Sequence, residues 1–149
     1  MNEHKGIGIG IILCISLSTL AIYITSLAFG IVNLGEECAK QFNVISLPNW
    51  LIVNGAIGIF LTLVGLIIVL TGLINELYTF MTISGIIMHI CTLIFVIIWS
   101  IIGAFELFKY SDCEDANTSL WAITLACLIW LWLSFCGSAC MACAKCVSR

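Results

Sequence analysis

Residues 50–74 read WLIVNGAIGIFLTLVGLIIVLTGLI, a run from Trp50 to Ile74 with no charged side chain. Such a run is long enough for a helix to cross a hydrocarbon core about 30 Å thick, which takes roughly 20 residues. Working outward, three further apolar runs appear, Gly6 to Val32, Phe80 to Phe105 and Leu120 to Ala139. The whole chain is 62% hydrophobic and 9% charged, with one proline and a mean hydropathy of +1.22. The period-two alternation that a barrel lumen requires is absent, so the expected fold is all-α.

This pattern predicts a single integral-membrane domain over residues 1–149, an antiparallel four-helix bundle with spans at about 6–32, 50–74, 80–105 and 120–139. The connecting pieces are outer loops 33–49 and 106–119, a short turn at 75–79 and a cysteine-rich tail at 140–149. A net charge of −3 and a pI near 5.1 leave no basic surface for nucleic acid, and the composition excludes a soluble enzyme. The first apolar run is about twice the length of a cleavable signal core and reads as a retained anchor. Lys5, Lys145 and Arg149 lie with the termini and the short turn, against Lys40 and Lys109 in the longer loops, a three-to-two bias that, with the cysteine in each long loop and the Asn117-Thr118-Ser119 pattern, favours cytoplasmic termini; the expected location is the secretory pathway and the plasma membrane.

Nine cysteines fall into three groups. Cys38 and Cys113, one in each outer loop, would be joined in an oxidising exterior; the alternative is two unpaired thiols. The bridge would close a loop of about 75 residues, for which the chain-entropy model gives about 4 kcal/mol. Cys14, Cys91 and Cys127 lie within spans as small apolar packing residues. Cys136, Cys140, Cys143 and Cys146 form a stripe at the inner face, suited to reversible acylation, with plain packing or metal binding as the alternatives. The stripe lacks the turns a compact metal site uses, so neither a metal nor a cofactor is expected. Asn117-Thr118-Ser119 matches the N-glycosylation pattern, although it adjoins the fourth span.

Small residues recur at alternating steps of three and four. The first span offers Cys14, Ser18, Ala21, Thr25 and Ala28, the second Gly58, Thr62, Gly65 and Gly72, and the third Gly85, His89 and Gly103. In lipid, helices associate by close approach, so these positions are expected to form the packed seam. His89 then becomes a structural histidine bonded to a neighbouring Ser, Thr or Asn, since no carboxylate within a span offers a proton relay a second station. Trp50, Trp121, Tyr78 and Tyr110 are expected to anchor the interfaces.

Cys38, Pro48 and the run Trp50-Leu51-Ile52-Val53-Asn54-Gly55, followed by Phe95, Trp99, Ile101, Gly103, Cys113 and an aromatic fourth span ending in cysteines, resemble the transmembrane protein 272-like four-span family. The similarity runs from about Ala28 to Cys146, with a shorter second outer loop and without the usual Ile-Pro pair before the second span. It implies four spans, an outer disulfide and a cysteine-rich inner tail, and transfers no activity or binding residue.

Two functions are consistent with these features. One is a non-enzymatic structural or organising tetraspan that interacts with membrane lipids, self-associates as a homo-oligomer and meets protein partners at its outer loops. The other is a channel or large-pore subunit, with Asn54, Thr62, Thr71 and Asn75 as a polar stripe and Glu36, Glu37, Asp112, Glu114 and Asp115 as an outer ring.

Overall fold

The computed structural model describes residues 3–35, 45–74, 77–110 and 113–147. Its elements are α1 (Glu3–Val32), α2 (Leu47–Ile74), α3 (Tyr78–Phe105), a π-helical turn (Glu106–Tyr110), α4 (Cys113–Ala116) and α5 (Thr118–Val147). No strand occurs among the described residues. Gly10–Val32, Leu47–Ile74 and Thr79–Phe108 are each long and apolar enough to cross a membrane, and α5 adds a shorter apolar stretch, Thr118–Ser134.

Helix α2 begins three residues before the expected Trp50. Ser46 caps it, its Oγ accepting the Asn49 N–H (3.4 Å), while Pro48 occupies the first turn, where its missing N–H breaks no bond within the helix. The predicted loop at 106–119 is a larger departure. Its described residues are mostly helical, because α3 runs on into the π turn, Leu107 and Cys113 are buried, and Asn117 caps α5 by accepting the Leu120 N–H (3.0 Å).

Helix α1 lies chiefly on α2 and α2 on α3, while α5 packs against α3, α1 and α2. Two glycines of α2 set the first of these contacts. A Cβ at Gly55 would stand 2.6 Å from the Tyr23 carbonyl oxygen, and one at Gly58 would collide with the Tyr23 ring. Gly30 returns the arrangement from α1, where a Cβ would meet the Pro48 carbonyl at 2.7 Å. Helices held this close gain dispersion contact around Gly30, Gly55 and Gly58, which is what association in lipid depends on.

The core gathers at one end, where α2 and α5 start and α3 stops. Leu47, Trp50, Leu51, Leu107, Cys113 and Leu120 are all buried there. Trp50, expected at the interface, is instead 0% exposed: its ring stacks on Trp99 (6.0 Å between centroids), Trp99 stacks on Phe95 (5.7 Å), and its indole N–H donates to the Trp99 carbonyl (2.9 Å). Gly103 makes room beneath it, since a Cβ there would lie 2.5 Å from the indole. An indole whose N–H has a carbonyl to bond can leave the interface for the core without stranding a donor.

Candidate functional site: a buried polar cluster and an open helix face

Close approach at Gly55 brings Ser26 of α1 against the backbone of α2. Its hydroxyl donates to the Leu51 carbonyl (2.9 Å) and accepts from the Asn54 amide (3.2 Å), and the buried Cys127 of α5 lies beside it. Ser26 is 0% and Asn54 1% exposed. The second amide atom, Asn54 Oδ1, is buried with no partner among the described residues. The cluster ties α1 to α2 by interhelical hydrogen bonds, each worth about 0.6–2 kcal/mol in a bilayer. Asn54 is thereby occupied inside the chain, Thr62 donates to its own helix at Gly58 (2.7 Å), and Asn75 lies outside the described residues.

Near the Trp50 end the polar contacts fasten segments rather than line a path. The Glu106 carboxylate, 2% exposed, accepts the Ile45 N–H (3.3 Å), so the residue read as the start of a loop pins the approach to α2. Asn117 caps α5 with its carbonyl and donates its amide to Asn33 (3.1 Å). The nitrogen a glycan would use therefore already holds the end of α1 to the start of α5. Trp121 is half-buried and meets Phe108 edge to face (6.4 Å, 84°).

The expected seam is only partly brought together. On α1, Cys14, Ser18, Ala21, Thr25 and Ala28 are all exposed, and Ser18 and Thr25 return their hydroxyls to the carbonyls of Cys14 and Ala21. The packed face is the neighbouring one, carrying Tyr23, Ser26, Leu27 and Gly30, because large and small residues interlock there with Gly55 and Gly58. Gly58, Gly72 and Gly103 are at close contacts, with Gly72 against Met81. Gly65 and Gly85 have open space where a side chain would project, and His89 is exposed rather than packed. Gly30, Gly55 and Ser26 were missed; their signal was the match of a Tyr-Ser-Gly face on α1 to an Asn-Gly face on α2.

Cys14, Cys91 and Cys136 are exposed free thiols and Cys127 a buried one, so packing accounts for Cys127 but not for Cys14 or Cys91. Cys113 is fully buried, while its expected partner Cys38 lies outside the described residues, as do Glu36, Glu37, Asp112 and the side chains of Cys140, Cys143 and Cys146. Glu114 and Asp115 are exposed. Among the described residues no group of three or more His, Cys, Asp or Glu could hold a metal ion.

Grooves open on the sides of the described residues. One, of about 420 Å³, runs between α1 and α5 past Ala21, Thr25, Ile123 and Trp130; another, of about 310 Å³, runs between α3 and α5 past Phe108, Leu125, Trp132 and Cys136. Their walls are almost wholly apolar, suited to acyl chains or another helix rather than to water. Comparison with protein-family models, with curated proteins and with solved structures finds no match.

Proposed function

We propose that the chain is a structural, self-associating four-span membrane protein, related to the transmembrane protein 272-like family, that organises its surroundings without catalysis. The observation that carries this reading is how the polar side chains are spent. Ser26, Asn54, Glu106 and Asn117 bond to other parts of the same chain, and the large exposed side chains left over are mostly Ile, Leu and Phe, with Cys14, Ser18, Thr25, His89 and Cys91 exposed among them. Wetting such faces costs about 25 cal/mol per Å², so they suit lipid or a neighbouring subunit better than a lumen.

In this reading α5 is the fourth span, completing an antiparallel bundle with both termini in the cytoplasm and the Trp50 end facing outward, at the plasma membrane. Cys38 is the partner of Cys113. That pairing is supported by the bonded state of the Cys113 sulfur and by Cys14, Cys91, Cys127 and Cys136 all being free thiols. The exposed Cys136 and the cysteines that follow it are acylation sites in the same scheme, and Asn117 serves the fold rather than a glycan. Protein partners meet the outer loops.

A channel subunit is the second reading, favoured by one observation, an exposed histidine midway along a span. Purified protein in liposomes separates the two. The structural reading expects no ion flux above that of empty vesicles; single-channel steps that vanish on neutralising Asp112, Glu114 and Asp115 would establish the channel instead.

A further inference from the structure

We propose that the protein pairs with a second copy of itself through the face of α3 that carries Gly85 and His89, with the two imidazoles meeting near the bilayer midplane. The proposal rests on the self-association reading above and names its surface.

His89 stands eleven residues into α3, about 16 Å along the helix axis, well inside the apolar stretch Thr79–Phe108. It is exposed, and among the described residues nothing hydrogen-bonds it. Other polar side chains at such depths solve the problem locally: Ser18, Thr19, Thr25, Thr62 and Thr124 each donate to the carbonyl four residues earlier. His89 makes no such bond. Facing lipid, its ring would give up water and receive nothing in exchange, and ionisable side chains within spans face protein or a water-filled cavity for that reason.

The helix surface beside it is built for close approach. Gly85, one turn away, has nothing within 4 Å of the place a Cβ would take, and the exposed Ile86 and Ile90 lie together along one side of this face. An acyl chain could fill this dip but offers no hydrogen-bonding group at that depth. A second copy offers both shape and chemistry. A neutral imidazole carries one donor and one acceptor, so two copies related by a two-fold axis apart from their protons can meet with the same ring nitrogen facing across the axis, protonated in one ring and bare in the other, whose proton sits on its second nitrogen. The same axis sets Gly85 against the partner helix, giving the small-residue contact on which association in lipid depends.

The test uses the full chain in phosphatidylcholine bilayers, with association read by single-molecule photobleaching over a range of protein densities. His89→Leu is expected to weaken association about tenfold, the equivalent of one interhelical hydrogen bond of about 1.4 kcal/mol. His89→Asn, which keeps a donor and an acceptor, should restore most of it, and neither variant should shift the melting temperature of the monomer in detergent. In a background where Cys14, Cys91, Cys136, Cys140, Cys143 and Cys146 are serine, Gly85→Cys should form a disulfide between copies on mild oxidation.

If His89→Leu associates as well as the original while Gly85→Cys stays uncrosslinked, this face is wrong although self-association survives. A protein monomeric at every density overturns both. Rapid labelling of Gly85→Cys by a membrane-impermeant thiol reagent, in the assembled protein, would place the face on a water path and overturn the pairing in favour of the channel.

Discussion

The two halves of the molecule are assembled on opposite principles. Where α2 and α5 start, an aromatic stack fills the interior, and capping residues and a buried carboxylate cross-link segments far apart in sequence, as in Ile45 with Glu106 and Asn33 with Asn117. Beyond Gly58 the helices carry few such contacts, Gly65 and Gly85 have empty space before them, and Cys14, His89 and Cys91 are exposed. Both halves use the same small residues, so composition does not separate them. What separates them is how often a bulky partner stands opposite: Tyr23 over Gly58 and Trp50 over Gly103 in one half, while in the other Met81 covers Gly72 but nothing stands over Gly65 or Gly85.

The strongest challenge to this contrast is Trp50→Ala, which removes a fully buried ring, its stack on Trp99 and its hydrogen bond. Thermal unfolding in detergent should show a loss of about 4 kcal/mol. Ser26→Ala comes next: it leaves the Asn54 amide without a partner on either atom and should cost about 2 kcal/mol in the same assay. Asn117→Ala, which removes both the α5 cap and the tie to Asn33, should cost about 1 kcal/mol and fray the start of α5, visible as faster amide exchange at Leu120. Smallest of all is Gly65→Leu, which should change monomer stability by less than about 0.5 kcal/mol because the new side chain enters open space. A large loss there would show the second half to be closed like the first.

Much of the helical layout is legible from apolar run length alone, because a span must satisfy its backbone internally and only a helix does so within one segment. Helix rotation is not. Helix α1 is apolar on every side, so a spacing of three and four fits several faces, and choosing the one with the smallest residues selects Cys14 to Ala28 over the face that packs. The packed face is recognisable only by matching Tyr23 to Gly58, a pairing between helices that neither helix shows by itself. Glu106 fails for a related reason. A carboxylate after an apolar run reads as the start of a loop until a backbone N–H 61 residues away is known to meet it.

The stack of Trp50 on Trp99 also bears on synthesis. A ribosome delivers α1 and α2 first, and everything that joins them, Gly30, Gly55, Gly58 and the Ser26 to Asn54 bond, is present in the first 58 residues. That hairpin can close as soon as it emerges, by contacts of modest sequence separation. Trp50 cannot be completed then, because its stacking surface and the carbonyl for its indole belong to Trp99, some 49 positions later. The nascent hairpin therefore waits with one large ring uncovered and one donor unmet until α3 arrives.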